Sequence, residues 1–187
     1  VDASKTLLNS PYGVSVDSAG NIFIADTSNH RIRKVDISTG LISTIAGTGT
    51  LGYNGDGIPA TSAKLNTPRG IFVDIYGNVF IADTYNQRIR KVESRTNLIT
   101  LVAGTGSGSY NGDGIPATTA SLYEPSAVFV DGAGNIYIAD TSNNRIRKVS
   151  SSSGFTSTVA GTGTFGFNKD GIAATNAYLN YPQGVYV

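Results

Sequence analysis

The distribution of apolar and polar residues repeats along the chain with a fixed spacing. The segment from Gly20 to Val35, GNIFIADTSNHRIRKV, returns with few changes from Gly77 to Val92 and again from Gly134 to Val149. Each copy lies 57 residues after the previous one, with no insertion or deletion. A fixed spacing of this kind is typical of repeat proteins, in which each repeat is one structural unit that packs against its neighbours.

Within one repeat, the pattern predicts four short strands. The segment 70–74 is β-rich and follows a proline, and Gly77-Asn78 is a tight-turn signal that closes a hairpin. Segment 79–82 is apolar on both faces, segment 88–92 alternates apolar and basic residues, and segment 98–104 is the fourth strand. Four antiparallel strands of this kind describe one blade of an all-β propeller. A β-helix is the competing architecture, but its coils usually have shorter periods.

A long glycine-rich loop connects the fourth strand of each repeat to the next proline. Its last part, Pro59 to Leu65, favours a short helical turn that places Leu65 on the core. We expect one propeller segment over residues 1–187. The repeats then run over 11–67, 68–124 and 125–181, residues 182–187 start a further repeat, and residues 1–10 end a preceding one. The chain would then be a piece of a longer array.

These residues carry a family resemblance. Proline-x-glycine-valine-x-valine-aspartate at 11–17, GNIFIAD at 20–26 and asparagine-x-arginine-isoleucine at 29–32 resemble the NHL repeat. The loop from Ala46 to Thr61 is similar to a longer NHL subtype in large bacterial and eukaryotic surface proteins, teneurins among them. The resemblance implies about three blades of a six-bladed ring, and a role as a binding platform.

Composition narrows the function classes. The chain has no cysteine, so disulfides and thiolate metal sites are excluded, and its formal charge is +1, too balanced to indicate nucleic acid. Charged residues are scarce, which we interpret as favouring an extracellular or cell-surface location. No apolar run of membrane-spanning length is present.

Aspartate and arginine recur five residues apart in all three full repeats. We expect each aspartate to form a structural pair with its arginine across a hairpin, because arginine binds carboxylates in planar geometry, or to accept hydrogen bonds from the N–H groups of the turn. A ring of identical catalytic or ligand-binding pairs is the alternative. The pairs are Asp26 with Arg31, Asp83 with Arg88, and Asp140 with Arg145.

Basic residues also form a stripe along the third strand of each repeat. Some NHL propellers bind RNA through a basic face, so RNA binding has to be considered. The stripe lacks interleaved aromatic residues, which single-strand readers use for stacking, and charge at a blade edge also prevents unwanted pairing. The stripe comprises Arg33-Lys34, Arg90-Lys91 and Arg147-Lys148.

Candidate catalytic and metal-binding residues are few. His30 is the only histidine, and Gln87 and Asn144 replace it in the other repeats, which indicates a polar turn position. NHL-type lyases rely on metal held by histidines, so this chain lacks residues that the activity needs. The loop Asn54-Gly55-Asp56-Gly57 offers one carboxylate, too few for calcium, and we expect Asp56 to cap the following helical turn. We predict no enzyme activity, no metal and no cofactor.

The residue after each proline varies, unlike its surroundings. These residues start the innermost strand, near the mouth of a propeller's central channel, where a ligand would bind. They are Tyr12, Arg69, Ser126 and Gln183. We interpret the chain as a non-catalytic binding or adhesion scaffold for a protein or glycan, within a larger secreted or cell-surface protein. The alternative is a structural building block that self-associates, or is completed by further blades.

Overall fold

The computed structural model describes all 187 residues and shows three antiparallel sheets, one for each repeat. The first contains β1 (Val14–Val16), β2 (Ile22–Asp26), β3 (Arg31–Asp36) and β4 (Leu41–Ala46). The second contains β5 (Ile58–Pro59), β6 (Pro68–Val73), β7 (Val79–Asp83), β8 (Arg88–Val92) and β9 (Leu98–Ala103). The third contains β10 (Pro125–Val130), β11 (Ile136–Asp140), β12 (Arg145–Val149) and β13 (Thr156–Ala160). We call these sheets blades 1, 2 and 3. The all-β fold of four-stranded antiparallel blades is confirmed.

Each blade is an antiparallel meander, and blade 2 carries the short β5 beside β9 as a fifth strand. The helices are 3-10 turns of three residues, and none could span a bilayer. They lie at Ala3–Lys5, Thr27–Asn29, Ala60–Ser62, Thr84–Asn86, Ala117–Thr119, Thr141–Asn143 and Ala174–Asn176. The predicted helical turn in the long loop is present. A second turn, after the second strand of each blade, was not anticipated.

The core lies between neighbouring blades, not within one sheet. Ile32 of blade 1 and Ile81 of blade 2 are fully buried in one cluster, and the loop that connects the blades adds Leu65 between them. Leu122 occupies the same place between blades 2 and 3. Since both faces of an inner blade are covered, its strands are apolar on both sides, as the pattern of β7 predicts.

Glycines allow the innermost strands to approach closely. A Cβ added to Gly70 would lie 2.6 Å from the Cα of Ala127 in the next blade, and a Cβ on Gly13 would collide with the carbonyl oxygen of Arg69. The small residue at this position is therefore required by the backbone of the neighbouring blade.

Hydrogen bonds across each blade junction repeat with the same period. Thr27 Oγ1 donates to the carbonyl oxygen of Pro68 at 2.7 Å. His30, in the left-handed conformation with φ 52°, accepts from the Thr67 N–H through Nδ1 at 3.1 Å. Gln87 and Asn144 accept from the equivalent N–H groups. Three different side chains therefore supply one acceptor, which explains why this position is polar.

This shared role predicts a mild effect for an exchange within the set. His30→Gln is expected to change the free energy of unfolding by less than about 0.5 kcal/mol, because the glutamine keeps the acceptor. His30→Leu is expected to lower it by about 1–3 kcal/mol, because the Thr67 N–H loses its partner. Urea denaturation of both variants checks this. Equal stability of the two would show that the acceptor is unimportant.

Candidate functional site

The repeated aspartates lie at the ends of the second strands and are fully buried. Their arginine partners differ from those expected. Asp83 Oδ2 lies 3.4 Å from Nη1 of Arg90, seven residues later, and not beside the guanidinium of Arg88. Asp26 and Asp140 pair in the same way, with Arg33 and Arg147 at 3.4 Å. The predicted pairs Asp26–Arg31, Asp83–Arg88 and Asp140–Arg145 are therefore wrong as ion pairs, although the two backbones of each pair are opposite in register.

The other arginine of each repeat holds the glycine-rich loop. Arg88 donates to the carbonyl oxygens of Asn86 at 2.9 Å and Thr105 at 2.8 Å, and its guanidinium lies 3.9 Å from the ring centre of Tyr53. A Cβ on Gly106 would collide with this guanidinium. Arg31 and Arg145 make the equivalent contacts with Thr48 and Thr162. This arginine is thus a loop clamp.

The loop carboxylates complete the pairing. Arg90 Nε donates to Asp56 Oδ1 at 3.0 Å, and its Nη2 donates to the Gly55 carbonyl oxygen at 2.6 Å. Tyr53 donates its hydroxyl to Asp56 Oδ2 at 2.6 Å. Asp113 Oδ1 accepts from Nη2 of Arg147 at 3.0 Å. Asp56 therefore joins the loop to blade 2 and does not cap the 3-10 turn, whose first residues receive no side-chain bond.

Burial controls the electrostatics of this cluster. Asp83 accepts from the Asn66 N–H at 2.7 Å and from Asn86 Nδ2 at 2.8 Å, as well as from Arg90. Desolvation outweighs these bonds and raises the pKa of Asp83 to about 6, and it also raises the pKa of Asp140. A proton that an unfolded aspartate releases near pH 3.8 is therefore held by the folded chain up to about pH 6.

A raised pKa gives a stability contribution that is present at low pH and lost as pH rises through the folded value. In the His30→Gln background, which removes the only histidine, lowering the pH from about 6.5 to 4.5 is expected to stabilise the chain, by on the order of 1–2 kcal/mol from Asp83. Adding Asp83→Asn is expected to reduce this gain. Urea denaturation at both pH values measures it. The assignment of a raised pKa to Asp83 fails if acidification destabilises the chain, or if Asp83→Asn leaves the difference in the free energy of unfolding between the two pH values unchanged.

The four residues after the prolines come together at one end of the innermost strands. Tyr12 donates its hydroxyl to Gln183 Oε1 at 2.7 Å, although 171 residues separate them. The Arg69 guanidinium lies 5.7 Å from the ring centre of Tyr12. Ser126 Oγ lies 3.0 Å from the carbonyl oxygen of Gln183. We call this end of the strands the channel mouth.

Two details of the channel mouth differ from the expectation. Ser126 is 1% exposed and its hydroxyl is 2.5 Å from that of Thr141, so it is not accessible to a ligand. Tyr85, which was missed, lies beside Arg69: its hydroxyl accepts from Arg69 Nη2 at 3.3 Å. The sequence could have revealed Tyr85, because the position varies between repeats: Ser28 and Ser142 are its equivalents.

Family comparisons agree with the geometry. The NHL repeat model matches residues 8–35 and 122–149, and the teneurin NHL domain model matches residues 52–111. NHL repeat-containing protein 2 of Bos taurus is 31% identical over an alignment of 148 positions, which covers 73% of this chain and 20% of that protein. Protein SUPPRESSOR OF QUENCHING 1, chloroplastic, of Arabidopsis thaliana is 29% identical over 74% of this chain and 14% of its own length. The chain thus spans a fifth or less of these relatives.

A solved structure shares the fold. A structural genomics protein of unknown function from Bacteroides thetaiotaomicron superposes with a TM-score of 0.70 and 22% identity, over 93% of this chain and 41% of that one. Together, the repeated blades and the matching models define the family. The chain is therefore an NHL-repeat protein, and its 57-residue repeats fold as blades of a β-propeller.

Proposed function

We propose that the chain is a non-catalytic binding module whose recognition surface is the channel mouth, within a secreted or cell-surface protein. One observation carries the proposal: Tyr12, Arg69 and Gln183 differ between otherwise similar repeats, are solvent-accessible, and contact one another. Most residues that the blades need are the same in each repeat or keep one chemical role, as His30, Gln87 and Asn144 do, whereas residues that recognise a ligand are free to differ in chemistry.

Catalysis is disfavoured by how the candidate groups are used. His30 is occupied as an acceptor at the junction of blades 1 and 2. The repeated aspartates are buried and bound to arginines. Cysteine is absent from the sequence. The solvent-accessible residues of the channel mouth, Tyr12, Arg69, Tyr85 and Gln183, include no histidine, carboxylate or cysteine, which are the commonest general bases and nucleophiles.

Nucleic-acid binding is disfavoured because most side chains of the basic stripe are buried or already have partners. Arg90 and Arg147 are fully buried and paired with aspartates. Lys91 is bound to Glu93 at 2.6 Å, and Lys34 lies over the ring of Phe23. A surface that reads a phosphate backbone needs exposed, unpaired cations, and this stripe offers few.

A second candidate function is that of a self-associating building block. It is favoured by the outer face of blade 1, meaning the face that no other blade covers. Val14 and Val16 are 65% and 56% exposed, whereas Ile71 and Val73, at the equivalent positions of blade 2, are each 7% exposed because blade 1 covers them. A face of this kind fits another blade, either of a second copy or of the same polypeptide.

The binding role is tested by screening the 187-residue chain against arrays of glycans and of extracellular peptides. The triple variant Tyr12→Ala, Arg69→Gln, Gln183→Ala is expected to lose the ligands that the parent retains. Arg95→Gln, which removes an exposed arginine away from the mouth, is the matched control and is expected to keep them. Ligands that survive the triple variant would contradict the proposal.

A further inference from the structure

Arg69 differs from the six repeated arginines of the blades because its side chain binds neither a carboxylate nor a backbone carbonyl oxygen. Three arginines clamp loop carbonyls and three pair with buried aspartates, and all six recur with the repeat: Arg31, Arg88, Arg145, Arg33, Arg90 and Arg147. Arg69 occurs in one repeat only, and no carboxylate lies within 4.0 Å of its guanidinium. A partly exposed guanidinium without an anion is suited to a ligand's anion.

The surroundings of Arg69 hold it in place. Its guanidinium lies close to two tyrosine rings, 5.7 Å from the centre of Tyr12 and 5.4 Å from that of Tyr85, and it donates to the Tyr85 hydroxyl. Contacts with aromatic rings favour arginine over lysine and reduce the freedom of the side chain. The planar group is therefore oriented before a ligand arrives.

Arg69 and Tyr85 are both found only in repeat 2. The positions of Arg69 and Tyr85 are occupied by Tyr12 and Ser28 in repeat 1 and by Ser126 and Ser142 in repeat 3. The structure brings this one changed pair into contact. Neither side chain makes a hydrogen bond across a blade junction, and the one contact across a junction, between Arg69 and the ring of Tyr12, lies at the channel mouth itself. The pair is therefore not needed to join the blades.

We propose that the channel mouth binds the carboxylate of an acidic sugar, with Arg69 as the anion partner. Tyr12 and Tyr85, 52% and 45% exposed, offer apolar ring surface with a hydroxyl at its edge, and Gln183 offers an amide. Aromatic surface with a few fixed polar groups is the usual composition of a small-ligand site, and a planar carboxylate matches the two-pronged geometry of a guanidinium. This inference deepens the proposed function and rests on it.

The probes are digalacturonate, its neutral methyl ester and inorganic phosphate, titrated into the 187-residue chain and followed by ligand-observed NMR. Digalacturonate is expected to bind about tenfold more tightly than the ester, as a charge-assisted hydrogen bond requires. Arg69→Gln is expected to remove this preference, and Tyr12→Ala to weaken both sugars. Arg95→Gln is the control and is expected to change neither.

Equal affinity for acid and ester, or a preference that survives Arg69→Gln, would overturn the inference. Phosphate that competes as strongly as digalacturonate would also overturn it, because the site would then bind any anion. If the arrays reveal a ligand of the channel mouth without a carboxylate, this inference falls while the proposed function stands. If no ligand from either experiment depends on the mouth residues, both fall.

Discussion

Replacing Arg90 with methionine is expected to lower the free energy of unfolding by about 3–5 kcal/mol, since it removes one partner of a buried ion pair. Methionine retains much of the side-chain volume but leaves Asp83 buried without its cation. It also removes the bonds from the guanidinium to Asp56 and to the carbonyl oxygens of Gly55 and Lys64. The loop between blades 1 and 2 would keep the pairing of β5 with β9 but lose the side-chain anchors that Arg90 provides. Urea denaturation followed by circular dichroism measures the loss.

The repeats supply the controls. Arg33→Met removes the equivalent arginine of blade 1, which is bound to Asp26 but has no loop carboxylate, and whose side chain is 15% exposed. We expect it to cost less than Arg90→Met. Arg88→Ala removes two bonds to carbonyl oxygens and the contact with Tyr53, and is expected to cost about 1–3 kcal/mol. If Arg88→Ala proved more damaging than Arg90→Met, the assignment of partners would be wrong.

The 187-residue chain by itself is expected to self-associate rather than behave as a stable monomer. Blade 1 exposes Val14 and Val16 at its outer face, and the last loop exposes Phe165 and Phe167. Repeat proteins bury their core between neighbours, and uncovered apolar faces favour association. The charges also suit another copy. Asp170, the third loop aspartate, makes no ion pair here, and Arg33 of blade 1 has no loop carboxylate.

Sedimentation velocity over a range of concentrations measures this association. The double variant Val14→Thr, Val16→Lys is expected to shift the distribution towards monomer, because a charge on an exposed face or edge opposes pairing. Exchanging Ile75 for threonine is the control, since Ile75 is exposed on a turn away from this face. A parent chain that sediments as a monomer and melts in one sharp transition would contradict the prediction.

The sequence predicts the blades well because strand periodicity and turn residues are local signals. Gly77-Asn78 and its copies mark the hairpins, and the prolines mark the start of the innermost strands. The short β5 is not predictable in this way, because Ile58 pairs with Ile99, 41 residues later, only after the loop has folded against blade 2.

The partners of the aspartates could not be chosen from spacing. Arg88 stands directly opposite Asp83, whereas Arg90 stands opposite Ile81 on the same face. Both are within reach of the carboxylate, since diagonal neighbours in a sheet also meet. A bulge between Ile89 and Arg90 in the pairing with β9 and the loop carboxylate of Asp56 settle the choice. Neither is visible in the sequence.

The central claim is that some residues hold the blades together while others, at the channel mouth, bind a ligand. The most direct test compares the thermal melting of Arg69→Gln with that of Arg90→Met. Arg69 makes only exposed contacts at the channel mouth, so Arg69→Gln is expected to melt within about 2 °C of the parent. Arg90→Met is expected to melt on the order of 10 °C lower, given the loss argued for a buried pair. Similar losses in both variants would show that Arg69 belongs to the framework, and would contradict a channel mouth reserved for recognition.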